Sequence, residues 1–305
     1  MPAGSGPHDV APAADGGVWF TAQGSGQLGW LDPKTGRTRM IPLGPGSAPH
    51  GVIVDSSGLA WVTDSGQNAI VSVDPRANDK VTVHKLTGPN VSLNTAAFDL
   101  GGTLWFTGQA GYFGRLVTGV TPEVGAAPSG RGPYGITASR NGGDVYYASL
   151  AASHIARIFL VHGERATGFD AQPIDPPTRD QGARRVWSDS KGAIWVSEWN
   201  AGQVARYDPA KDAGADADDG AAPAWTEWKL PGERPQPYAV FVDDRDIVWL
   251  SDFGSSSIVR FDPATETFTS FPYQTGGAVR QLHGRPGEVW GALSSFDKLI
   301  VLETR

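Results

Sequence analysis

A chain of 305 residues with a formal net charge of -7 carries no basic footprint for a nucleic-acid backbone or an anionic membrane surface, so neither is expected as a partner. The absence of cysteine excludes disulfides, thiolate catalysis and Cys-ligated zinc. Forty Gly and 23 Pro among 40% hydrophobic residues fit many tight turns between short strands better than long helices.

Along the chain a short pattern built on an aromatic residue recurs seven times, at Trp19, Trp61, Trp105, Tyr146, Trp195, Trp249 and Trp290, at intervals of 42, 44, 41, 49, 54 and 41 residues. A repeat of roughly 40 to 50 residues made of short apolar runs has the length of one four-stranded propeller blade. The pattern predicts an all-β, seven-bladed β-propeller filling residues 1–305 as one domain. In the second repeat, strands are expected at Ala48–Asp55, Leu59–Thr63, Ala69–Val73 and Lys80–Leu86. Asp-Pro follows the third strand at Asp32-Pro33, Asp74-Pro75, Asp208-Pro209 and Asp262-Pro263. Proline fixes φ for a turn and aspartate accepts the following amides, so this dipeptide is turn chemistry.

Each aromatic anchor is expected in the wedge between neighbouring blades, where burial contributes on the order of 2–3 kcal/mol. The long intervals place insertions in blades 4 and 5. The acidic stretch from Asp212 to Gly220 lacks the ordered ligand spacing of a calcium loop and reads as a flexible hairpin. The last repeat ends on its third strand, Leu299 to Glu303, which predicts an incomplete final blade or a segment upstream of Met1. No apolar run approaches the roughly 20 residues needed to cross a bilayer, and the first residues do not form a signal peptide. A soluble monomer is expected, cytoplasmic or exported after loss of a leader.

About eleven residues before each anchor stand His8, His50, Asn94, Tyr134, Arg184, Tyr238 and Arg280, all able to hydrogen-bond. First strands of a propeller lie against the central channel, so these side chains are expected to converge at one mouth of it. They form either a ligand site or a water-satisfied lining. Three residues after the anchors stand the carboxylates Asp64, Glu198 and Asp252, which read first as turn or salt-bridge partners and second as metal ligands. His84, His154, His162 and His283 fall elsewhere and are expected to be surface or internally satisfied histidines.

The units Ala48-Pro49-His50-Gly51-Val52, Gly132-Pro133-Tyr134-Gly135-Ile136 and Trp195 to Arg206 resemble the repeats of the virginiamycin B lyase family, and the likeness extends over all seven repeats. The resemblance implies β-elimination across the ester of a cyclic depsipeptide, assisted by Mg2+. It also implies a His at the ring position of one blade, Glu-Pro-His at the next, and a metal-binding Glu fourteen residues beyond the second His. Matched in N-to-C order, the last two ring positions are Tyr238 and Arg280, without histidine. Matched after rotation of the ring, His8 and His50 take the two His positions and Asp64 the metal position, but Ala48 stands where the pattern has Glu. The rotated register assigns His50 as base, His8 as its partner and Asp64 to the metal, with the second carboxylate of the pattern absent in either register; Glu198 is a separate candidate metal ligand. Asn94, Tyr134, Arg184, Tyr238 and Arg280 are then left to bind a small-molecule or cyclic peptide substrate. The alternative is a propeller that binds or senses a ligand without chemistry. A thinner third option is a lactonase-like hydrolase using Asp64, Glu198 and Asp252.

Overall fold

Apolar runs broken every five or six residues by Gly, Asn or Asp-Pro become short strands in the computed structural model of the chain, which describes residues 1–117, 119–162, 167–212 and 223–304. The strands assemble into seven antiparallel sheets around one axis, six with four strands in sequential order and one with three. The blades begin with Pro7–Pro12, Pro49–Val54, Leu93–Phe98, Pro133–Ala138, Ala183–Ser188, Pro237–Val242 and Val279–Arg285. These first strands contact one another around the channel.

Second strands such as Val18–Ala22 and Val248–Asp252 are buried at every residue, because a blade's second strand is covered by both neighbouring blades. Outer strands such as Thr267–Pro272 are largely exposed. The core is divided into wedges, and each anchor fills the one between its own blade and the next: Trp19 packs with Val52 and Val62, Trp195 with Val240 and Leu250, and Trp290 with Val10 and Phe20. Four anchors are further held by an aspartate six residues upstream, with Trp61 Nε1 donating to Asp55 (2.8 Å), Trp105 to Asp99 (2.8 Å), Trp195 to Asp189 (3.1 Å) and Trp249 to Asp243 (2.9 Å). The same carboxylates accept amides of the hairpin between first and second strands, so one residue closes the turn and orients the ring.

The long interval of blade 4 reflects an extended outer hairpin, His154–His162 with Thr167–Ile174. In blade 5 the third strand runs into a helical turn, Pro209–Asp212; the rest of the acidic stretch, 213–220, lies outside the described residues. Blade 7 has three strands, as its sequence implies. The ring closes instead through Asp297, whose carboxylate accepts Gly4 N–H (2.8 Å), Gly6 N–H (2.8 Å) and the Ser5 hydroxyl (3.1 Å). The wedge beneath is filled by Val10, Phe20, Trp290 and Ala292.

Candidate active site at the axial ring

Every first strand slips by one residue against its second strand at the ring position; Pro7 to Val10 spans three residues where Ala22 to Phe20 spans two. A bulge of this kind adds a residue and turns the strand locally. Two columns therefore approach the axis, the ring residues themselves and the residues that follow them. The extra amide of the second column is satisfied by a hydroxyl two residues after the anchor. Thr21 Oγ1 accepts Asp9 N–H (2.9 Å) and donates to His50 C=O of the next blade (2.9 Å). Thr63, Thr107, Ser197 and Ser251 repeat this bridge to the following blade. Where first strands crowd together only glycine fits: a Cβ on Gly135 would lie 2.6 Å from Arg185 Cα.

The ring column gathers as its spacing implies. His8 and His50 have ring centroids 4.0 Å apart, His50 meets the edge of Tyr134 at 6.5 Å, and the Tyr134 and Tyr238 hydroxyls hydrogen-bond to each other. Burial, with the neighbouring Tyr238, pushes the Tyr134 phenol up, so it stays protonated at neutral pH. Arg184 lies over the rings of Trp199 (4.2 Å) and Tyr238 (4.6 Å). Trp199 and Phe253, half-exposed on adjacent turns, extend the aromatic face: Tyr238 stacks on Phe253 at 5.0 Å and Trp199 meets Phe253 edge-on at 5.2 Å. Arg280 is half-buried and meets the network through its carbonyl, which accepts Arg185 Nε at 3.2 Å.

The second column supplies Asp9 and Arg185, which sequence reasoning missed. Each directly follows a ring residue, where the bulge doubles the inward positions. Arg185 is 4% exposed, reaches from blade 5 to Asp9 Oδ1 of blade 1 (3.4 Å), donates to Thr95 of blade 3, and lies over the Tyr134 ring (5.1 Å). Two hydrogen-bonded chains leave it. In one, Asp9 Oδ1 accepts from His8 Nδ1 (2.8 Å). In the other, Thr95 Oγ1 donates to Asn94 Oδ1 (2.7 Å), which turns the Asn94 amide nitrogen to His50 Nε2 (3.2 Å). The hydrogen bonds orient both rings: His8 directs a protonated Nδ1 to Asp9 and so turns Nε2 away from it, whereas His50 accepts at Nε2 and carries its proton on Nδ1, which has no hydrogen-bond partner among the described residues. Burial alone would raise the Asp9 pKa, but Arg185 and then His8 hold it below the ordinary carboxylate value. Burial, with His8 beside it, pushes His50 well below the ordinary imidazole value, so it is neutral at pH 7.

Among the described residues, His8, Asp9 and His50 form the group of potential ligand atoms close enough to share a metal, all within 4.8 Å of one another. The set suits magnesium poorly, because it has a single carboxylate whose Oδ1 is already engaged by His8 and Arg185, whereas Mg2+ prefers several oxygens. Asp64, beside Pro49 in the blade 2 pairing, lies outside this group; its oxygens accept Ser47 Oγ (2.5 Å), Ala48 N–H (2.9 Å), Gln67 N–H (3.0 Å) and Gln67 Nε2 (2.9 Å). Asp252 holds its own turn in the same manner. Glu198 is buried in blade 5, with Oε2 accepting from Gln203 (2.6 Å), Oε1 unpartnered, and burial raising its pKa to about 8. A carboxyl that is protonated at neutral pH is a weak ligand for a hard cation. Elsewhere, His84 stacks on Trp61 (5.5 Å) and His154 contacts Ser129 (3.4 Å).

The buried histidine pair and the half-exposed aromatic face thus lie together at one axial mouth of a closed propeller. The chain belongs to the virginiamycin B lyase family, whose sequence model matches residues 1–218. Its fold is similar to that of a streptogramin B lyase (22% identity, TM-score 0.83, covering 100% of this chain and 95% of that one). It is also similar to virginiamycin B lyase from Staphylococcus aureus (18% identity, TM-score 0.81, covering 99% and 96%) and to a catalytically inactive form of that enzyme with quinupristin (17% identity, TM-score 0.82, covering 100% and 97%). At these identities the likeness is one of fold. No curated relative matches the chain by sequence. Among the described residues, no helix is long and apolar enough to cross a membrane.

Proposed function

We propose that the chain is a carbon–oxygen lyase that opens a small cyclic or ester-linked peptide at the ring face by β-elimination, with His8 as the base. The observation that carries this reading is the His8 Nδ1 to Asp9 Oδ1 hydrogen bond of 2.8 Å, which leaves His8 Nε2 as an oriented proton acceptor beside His50. His8 takes the α-proton, the electron pair forms the Cα–Cβ double bond, and the Cβ–O bond breaks to release a carboxylate. His50, neutral and carrying its proton on Nδ1, offers a donor to the oxygen on which charge develops. The roles expected from sequence, His50 as base and His8 as partner, are exchanged here because the carboxylate contacts His8. Trp199 and Phe253, with Arg184 between Trp199 and Tyr238, give an aromatic surface for the apolar groups of such a peptide. The donor set described above supports no step through magnesium. The resemblance of fold to streptogramin lyases favours this class of substrate over a hydrolysable lactone.

Purified protein incubated with a type B streptogramin, with and without magnesium, is expected to yield the linear, unhydrolysed product by mass spectrometry. Product carrying an added water, or none at stoichiometric enzyme, overturns the reading.

A further inference from the structure

We propose that the channel holds a second binding site, opening on the face opposite the histidines, for a small aromatic monocarboxylate. A cavity of about 240 Å³ runs along the axis below the ring column. Its inner end is formed by Asp9 and Arg185, which separate it from His8 and His50. Its walls combine apolar first-strand residues such as Val240 and Leu282 with Thr95, Thr137 and Gln281, and its outer end is bordered by Phe98, Trp187, His283 and Arg140. A cavity of roughly 150 Å³ already holds a benzene ring, so this one accommodates a ring with a short side chain.

The outer end selects the charge. Arg140 is exposed and forms no ion pair among the described residues; its guanidinium reaches across from blade 4 to the carbonyls of Val242 (3.0 Å) and Asp243 (3.5 Å) of blade 6. Two bonds to carbonyls fix the guanidinium at the opening while leaving N–H donors for a carboxylate. Trp187 and Phe241 clasp the His283 ring at 5.1 and 5.7 Å, and His283 Nδ1 contacts its neighbour's carbonyl, Gly284 C=O, at 3.1 Å. Burial keeps this imidazole neutral, so it adds aromatic surface without a second cation. An aromatic ring held between these groups and the apolar wall places its carboxylate at Arg140.

Isothermal titration with 3-phenylpropionate and with 3-phenylpropan-1-ol tests the site without turnover, and so independently of elimination on the other face. The acid is expected to bind at one site at least tenfold tighter than the alcohol. Arg140→Gln is expected to erase that preference, Ala138→Phe to abolish binding of both, and His50→Ala to leave both affinities within about twofold. Equal binding of acid and alcohol, a preference that survives Arg140→Gln, or binding lost in His50→Ala but kept in Ala138→Phe would overturn the proposal.

Discussion

Arg185 and Asp9 meet across the channel, from blade 5 to blade 1, with Nη2 3.4 Å from the carboxylate oxygen that also receives His8 Nδ1. Both partners are buried, at 4% and 1% exposure. Removing one member of such a pair leaves an uncompensated charge in a low-dielectric interior, which costs about 3–5 kcal/mol. Arg185→Gln is therefore expected to lower the urea midpoint strongly, whereas Arg185→Lys keeps the charge and recovers part of the loss. A midpoint within experimental error of wild type for Arg185→Gln would show that the pair does not hold the ring together.

Catalysis separates the two histidines from the scaffold. His8→Ala is expected to reduce elimination about 10²–10⁴-fold, the usual contribution of a positioned base. Under the proposed elimination, Asp9→Asn is expected to lower kcat with little change in KM, because the Asp9 carboxylate contacts the His8 imidazole. Steady-state kinetics with the linear product as readout decide this; a KM effect alone would place Asp9 in binding.

Two buried groups give stability opposite slopes with pH. Glu198 has a folded pKa raised to about 8, so its protonated form is favoured in the fold, and its contribution is full below the unfolded value near 4.5 and lost as pH rises through about 8. His50 has a lowered pKa, so its contribution is full above the unfolded value near 6.5 and declines as pH falls below it. Glu198→Gln is expected to flatten the decline between pH 5 and 8, by on the order of 1–3 kcal/mol, in urea titrations at fixed pH. An unchanged pH profile would mean that Glu198 ionises freely in the folded state.

The hydroxyl bridges between blades give a fourth test. Thr21 Oγ1 accepts the Asp9 amide and donates to the carbonyl of His50. Thr21→Val keeps the volume and leaves both groups unpaired, at a cost of about 1–3 kcal/mol. Thermal unfolding monitored by circular dichroism checks it, with Thr21→Ser as the variant expected to restore the bridge.

Much of the architecture was legible because a propeller repeats its own chemistry. The recurring aromatic fixed the number of blades, and counting back from it found His8, His50, Asn94, Tyr134 and Tyr238, whose side chains do meet at one mouth. What spacing could not reveal was the bulge at each ring position, since a one-residue slip leaves no mark on an apolar pattern. Arg184 lies at the mouth over Trp199 and Tyr238, but its neighbour Arg185, which spans the axis, was passed over, as was Asp9 beside His8. The column of Asp64, Glu198 and Asp252 was readable as a column, but the partners that occupy Asp64 and Asp252 come from loops whose course sequence does not give.

The manner of closure has a mechanical consequence. Blades 7 and 1 are joined by the Asp297 clasp on Gly4, Ser5 and Gly6 and by one apolar wedge, without an outer strand shared between the two ends of the chain. Every other junction is continuous polypeptide, so this seam is held by side-chain bonds and packing, including Val10 N–H to Gln281 Oε1 (2.9 Å) and Arg285 Nη1 to Gly17 C=O (3.4 Å). Loosening of the hoop at this seam would shift the strand that carries His8 relative to the seventh blade, and with it the His8–Asp9–Arg185 chain that crosses the channel.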